Sequence, residues 1–224
     1  MTASFTSAAL LLVVGGVASR HVRSKAELPY ALIPALFGLQ QILEGLIWIG
    51  LGDGGSSCIG QSATALTQAY SVFSQVIWPI YIPVAVWLLE TQAWRRTVLM
   101  GISAAGALVS LFLLRAMIEN PVTALLQEKH IAYAFTHVHI VSATVLYLLG
   151  TCVAPVLSSH VSVRLFGVAA ASSAVLAYVA YSSWFISVWC FFAGILSCVV
   201  LLYFFPLRSL CAQANRWMNA IRVS

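Results

Sequence analysis

The stretch FGLQQILEGLIWIG, residues 37–50, sets Gln40, Gln41 and Glu44 in a run that is otherwise apolar. A carboxylate at the centre of an isolated bilayer-spanning helix costs about 3 kcal/mol, so Glu44 needs a polar partner or a task. Successive residues of an α-helix turn by about 100°. On that spacing Phe37, Gln40, Gln41, Glu44 and Trp48 form one stripe about 100° wide. Gln68, Ser71, Gln75 and Trp78 form a second, about 80° wide, in the apolar run 64–89. Further on, Tyr133, His137 and Thr144 share a helix face, with His139 about 160° from His137. Arg115 stands near the end of the run before them.

Three kinds of chemistry fit these groups. In the first, a small molecule is bound or moved through a polar pocket in the membrane. Glu44 is then the charge-bearing or proton-carrying group, His137, His139 or Arg115 its partner, and Gln40, Gln41, Gln68 and Gln75 the hydrogen-bonding wall. In the second, the chain is an intramembrane hydrolase in which His137 ligates a metal ion and Glu44 acts as general base. A His-x-His pair on a helix splays its rings by about 200°, and the HExxH spacing is absent. That leaves His137 with Glu44 and a third ligand. In the third, the polar groups only join helices by hydrogen bonds, in a structural or accessory subunit. An intramembrane ionisable residue points to function by default, which puts the binding reading first. The sequence names no cofactor.

The elements that must position these residues follow from composition. Of 224 residues 61% are hydrophobic and 8% charged, whereas soluble domains carry about 25% charge. Seven apolar segments, 4–19, 29–51, 64–89, 97–118, 131–157, 164–182 and 187–206, approach the roughly 17–25 residues that cross a bilayer. The expected fold is all-α: a seven-helix transmembrane domain over 1–206, then a basic amphipathic tail, 207–224. Nine of the eleven Lys and Arg residues fall in the loops and tail of one side; only Arg115 and Lys129 fall on the other. The positive-inside rule then sets the N-terminus outside and the C-terminus inside. The net charge of +5 is thereby a topology signal, and no nucleic-acid partner is implied.

Topology also sets depth. Glu44 lies 15 residues beyond Pro29, about 22 Å along its helix from the cytoplasmic edge. Gln68, Gln75, His137 and His139 fall in the same outer half, which implies a pocket opening outward. Pro79 and Pro83 each remove a backbone donor in the middle of IWPIYIPVAVW, so that helix should kink or loosen there. Gly101, Ala105 and Ser110 offer small residues for close helix packing. The connection ENPVTALLQEKH reads as a short surface helix. The tail reads as a helix on the cytoplasmic membrane face or as a dock for a membrane-protein partner. The five cysteines show no metal-ligand spacing, and Cys58 and Cys190 lie near the same outer edge, where a disulfide between them is open.

Several chemistries are absent from the sequence. The two lysines, Lys25 and Lys129, lie in loops, so no retinal Schiff base forms within the bundle. There is no Gly-rich phosphate loop, no GxSxG elbow and no regular intramembrane arginine series.

The strings LPYALIPALFGLQQILEGLIWIGL, VIWPIYIPVAVWLLE and SSWFISVWCFFAGILSCVVLLYF, with the arginine-rich first loop, resemble a family of bacterial seven-span membrane proteins of unknown function. The likeness runs over most of the chain; Gln-Gln-x-x-Glu-Gly and Ser-Val-Trp-Cys-Phe-Phe are its most specific parts. Members of that family typically begin Met-Cys-Phe-Ser-Ala, whereas this chain begins MTASFTSAAL. The resemblance implies a multi-pass protein of the bacterial inner membrane and carries no activity.

Overall fold

The computed structural model describes residues 2–52, 58–127, 130–134, 141–181 and 184–205. A helix satisfies its own backbone hydrogen bonds, as a lipid-embedded segment must. Among the described residues, six helical segments are long and apolar enough to cross a membrane: Thr2–Arg20, Leu28–Gly52, Ala63–Leu89, Ala93–Glu119, Val161–Ala180 and Phe185–Phe204. The chain is an all-α bundle to which one two-stranded hairpin is attached.

The expected span 131–157 is not one of the six. Its first residues belong to strand β2 (His130–Ala134), antiparallel to β1 (Thr123–Gln127), with Thr123 opposite Ala134 and Gln127 opposite His130. Strand β1 likewise replaces the short helix expected in ENPVTALLQEKH. The two strands satisfy each other's backbone groups, so this stretch has no need of a helix to do so. Ile131 is buried with Ile47 and Tyr70, which fastens the hairpin to the bundle. From the same expected span comes a shorter apolar helix, Ser142–Val156. It comprises α7 (Val141–Leu148), a π-helical segment (Leu149–Val153) and α8 (Ala154–Val156).

Helices α1 (Thr2–Arg20) and α2 (Leu28–Gly52) form the most intimate pair. Helix α1 buries Ser4, Ser7, Ala8, Leu11, Val14, Gly15 and Ala18, a helical stripe. At Gly15 a Cβ would stand 2.6 Å from the Ala35 Cβ, so a small residue is required there.

The third long segment follows the short α3 (Cys58–Gln61) and is interrupted. Helix α4 (Ala63–Ser71) passes through a π-helical turn (Val72–Ile77) into α5 (Trp78–Leu89). Pro79 has no N–H to give the Gln75 carbonyl, and Pro83 none to give that of Pro79. The expected loosening takes this form, and side chains bond the carbonyls on either side of Gln75. Tyr147 donates its hydroxyl to the Ser74 carbonyl at 2.6 Å, and Ser110 donates to that of Val76 at 2.8 Å. The Pro79 carbonyl is approached by two glycines. A Cβ would lie 2.0 Å from it at Gly106 of α6 (Ala93–Glu119) and 2.8 Å from it at Gly150. Gly101, expected to pack closely, has nothing within 4 Å of its Cβ position.

The remaining segments are α9 (Val161–Ala180) and α10 (Phe185–Leu196). The latter continues through a 3-10 turn (Ser197–Val200) into α11 (Leu201–Phe204). The main core joins Leu11, Phe37, Trp78, Ile82, Leu99 and Phe166, with Phe37 and Trp78 stacked at 3.9 Å.

At the end of the bundle opposite the hairpin, one buried carboxylate ties two connections together. Glu90 Oε1 accepts the N–H groups of Thr91 and Gln92, both at 3.0 Å, and Oε2 accepts that of Ser159 at 2.7 Å. Burial pushes this carboxyl up, but the N–H donors outweigh it and hold it below the usual carboxylate range. Arg96 caps the Glu90 carbonyl at 3.1 Å, and Arg95 donates to the Leu157 carbonyl at 2.7 Å.

Candidate functional site

The stripe on α2 is buried as its spacing implies. Gln40, Gln41 and Glu44 all face the interior. Gln41 Nε2 donates to Glu44 Oε2 at 3.2 Å, and the hydroxyl of Ser187 on α10 donates to Glu44 Oε1. The single hydroxyl proton of Ser7 on α1 is shared between the Ser4 carbonyl at 2.9 Å and, more weakly, Gln41 Oε1 at 3.4 Å. A hydrogen-bonded chain, Ser7–Gln41–Glu44–Ser187, therefore crosses three helices. Among the described residues no cationic side chain reaches the Glu44 carboxyl.

Gln40 serves a second cluster. Its Oε1 accepts the indole N–H of Trp78 at 2.7 Å, which holds Trp78 against Phe37. Gln40 Nε2 and the Tyr70 hydroxyl are buried, face each other and the Cys190 thiol, and find no well-formed hydrogen-bond partner among the described residues. Tyr70 stacks on Tyr133 of the hairpin at 4.7 Å.

The two glutamines of the third segment part company at the π turn. Gln68 fastens the chain entering β1: its Nε2 donates to the Val122 carbonyl at 2.7 Å, and Val122 N–H donates back to Oε1 at 3.4 Å. Gln75, inside the π turn, is 7% exposed and lines a cavity of about 720 Å³. Its amide makes no hydrogen bond among the described residues. The cavity lies between the π turn, β2, α7, α9 and α10. Most of its wall is aromatic or aliphatic, including Tyr147, Phe185 and Trp189; among the described residues its non-aromatic polar side chains are Ser74, Gln75, Thr144, Ser187 and Cys190, and Tyr133, Tyr147, Tyr178 and Trp184 add hydroxyl or indole N–H groups. Cavities of roughly 300–1,000 Å³ with an apolar wall and a few convergent polar groups are what small-molecule sites look like. Glu44 stands behind this wall, reached through Ser187.

Other candidates lie elsewhere. Arg115 is not brought to Glu44: it sits on the surface, its side chain 80% exposed, paired with Glu119 at 2.8 Å. His137 and His139 fall outside the described residues, so the metal reading built on His137 has no geometry to report. Among the described residues no three His, Cys, Asp or Glu side chains converge as a metal set. Cys58 is exposed and Cys190 buried, and in this structure both thiols are free rather than joined.

Sequence reasoning missed Ser187, and missed Cys190 as part of a cavity. A signal was present. Ser187, Cys190, Gly194 and Ser197 recur at helical spacing in an otherwise large, apolar run, within about 80° of one another. That stripe of small residues is the face α10 turns toward α2.

Six apolar spans, packed around a buried acid and a partly polar cavity, are those of a multi-pass membrane protein. The chain belongs to the family of unknown function DUF6629, whose profile matches residues 1–216. Comparison with curated proteins and with solved structures found no match.

Proposed function

We propose that this protein binds a small molecule in the cavity beside Gln75 and Ser187, as a binding or transport protein. Glu44 is the buried acid coupled to the bound molecule through Ser187. The observation that carries this reading is the Gln75 side chain: a primary amide with two donors and an acceptor, inside the fold, facing a cavity, and unpaired among the described residues. A ligand that meets this amide inside the cavity gains about 0.5–1.5 kcal/mol for each hydrogen bond it makes. In this reading the hairpin end faces outward and the basic end faces the cytoplasm of a bacterial inner membrane.

The test is a thermal-shift screen of the purified protein against a chemically diverse small-molecule panel, with Gln75→Leu and Glu44→Gln alongside. Stabilising compounds should lose about tenfold in affinity in Gln75→Leu, roughly the value of one hydrogen bond in a dry site. Stabilisation that neither variant alters would refute the assignment. Elemental analysis beside His137→Ala separates the hydrolase reading: stoichiometric metal, lost in that variant, would replace ours with a metal site using Glu44 as base. A stable complex with another membrane protein, lost on deleting residues 207–224, would favour an accessory subunit instead.

A further inference from the structure

The cavity wall and the outer surface of the bundle meet at three residues. Val145 on α7, Val175 and Tyr178 on α9 all line the cavity, yet are 57%, 64% and 66% exposed. Helix α7 packs on α5 and α6, whereas α9 packs on α10, on α8 and on the π segment 149–153. The two helices are therefore joined at that π segment and part toward the hairpin end. Val175 and Tyr178 belong to a segment apolar enough to cross the membrane, and Val145 to the shorter apolar helix. An exposed, apolar seam at membrane depth is in contact with lipid chains, not water.

Resting on the binding reading above, we propose that the cavity opens sideways into the bilayer between α7 and α9, and that its ligand is a single-chain amphiphile with a neutral, hydrogen-bonding head. The hydrocarbon part lies along Val145, Tyr147, Val175 and Phe185, which offer it no polar group except the Tyr147 hydroxyl, already committed to the Ser74 carbonyl. The head reaches Gln75 and Ser187 at the inner end. Gln75 offers both donor and acceptor, so it suits a hydroxyl-bearing head that does the same. An acidic head would bring a second carboxyl toward Glu44, with no cationic side chain there among the described residues. A cationic head would find both Glu44 oxygens already engaged by Ser187 and Gln41, with the carboxyl behind the wall.

Access and head-group chemistry are tested together in phosphatidylcholine nanodiscs. In a background with every native cysteine replaced by alanine, Ala174→Cys or Ala143→Cys places a thiol on the cavity wall with little change of volume. Each variant is kept only if its gel-filtration profile and melting curve match the parent. We expect labelling by a bilayer-dissolved pyrene maleimide and none by a charged, water-borne methanethiosulfonate. Monooleoylglycerol should then slow labelling about tenfold at a mole fraction ten times its dissociation constant, since protection follows the ratio of ligand to that constant; oleate at the same mole fraction should slow it less. Labelling by the water-borne reagent alone would overturn the lateral opening and leave the binding reading standing. No labelling by either reagent would overturn both. Equal protection by oleate would overturn the neutral-head assignment.

Discussion

Replacing Glu90 by glutamine takes away a carboxylate that accepts three backbone N–H groups from two connections. The glutamine oxygen can still accept from Thr91 and Gln92, but its NH2 group then faces the Ser159 N–H, donor against donor. The lost charge-assisted bond is worth about 1.5–3 kcal/mol, and the two surviving bonds, now to a neutral oxygen, lose about 0.5–1 kcal/mol each. The sum is about 2.5–5 kcal/mol, to be read from SDS-titration unfolding in mixed micelles. The difference should depend on pH with a definite sign. Glu90 is held below its ordinary value in the folded state, so its contribution is complete above the unfolded carboxyl pKa, near 4.3. It is lost as pH falls from there through the lower folded value. The gap between wild type and Glu90→Gln should therefore be flat from about pH 8 to 5 and shrink below about pH 4. A gap under about 1 kcal/mol at pH 7, or one that widens in acid, would refute the clasp.

Two further substitutions probe the fold around the site. Gly106→Ala would set a methyl carbon 2.0 Å from the Pro79 carbonyl oxygen, with backbone on both sides and no flexible side chain to give way. We expect a loss of about 3 kcal/mol or more in the same assay, and almost none for Gly101→Ala, whose Cβ position is open. Gln68→Leu removes both bonds to Val122. Hydrogen exchange across 123–134 should then quicken roughly 30-fold, the equivalent of about 2 kcal/mol, while exchange in α1 stays unchanged.

How far the sequence reached depended on which physical constraint governed each segment. Lipid imposes long, uninterrupted apolar runs, so the six long helices stand out from hydropathy alone. The helical period was equally informative on α2, where Gln40, Gln41 and Glu44 do face inward. The same period failed on the third segment. The π turn at 72–77 adds a residue to one turn, about 100° of rotation, and so Gln68 turns to the hairpin while Gln75 turns to the cavity. The prolines that provoke the turn were visible; its phase was not. Arg115 was misjudged for a different reason. Depth alone made it one candidate partner for Glu44, but the helix period places Arg115 about 180° from Gly106, which is buried against Pro79. In the hairpin, HIAYA carries an alternation, with Ile131 buried and Tyr133 stacked on Tyr70. The apolar run that follows masked it. The cavity itself was beyond reach, because it depends on how far apart α7 and α9 stand.

On the binding reading proposed above, the position of Glu44 has a physical account that reaches beyond the joining of helices. Both of its oxygens are engaged, one by a residue of its own helix and one by Ser187 of α10, and Gln41 carries the chain on to Ser7 of α1. A group used only to join helices would be complete at that point. Here the last member of the chain, Ser187, is also part of the cavity wall, which it shares with the amide of Gln75, unpaired among the described residues. A serine hydroxyl has one proton to donate. A bound molecule that accepts that proton takes it from Glu44 Oε1, whereas a bound molecule that donates to Ser187 leaves the Glu44 bond in place. The buried acid therefore favours a ligand head able to donate, and Gln75 beside it can accept or donate as the head requires. Selectivity in this pocket follows from the direction of one hydrogen bond, and the packing of α10 on α2 depends on the same bond.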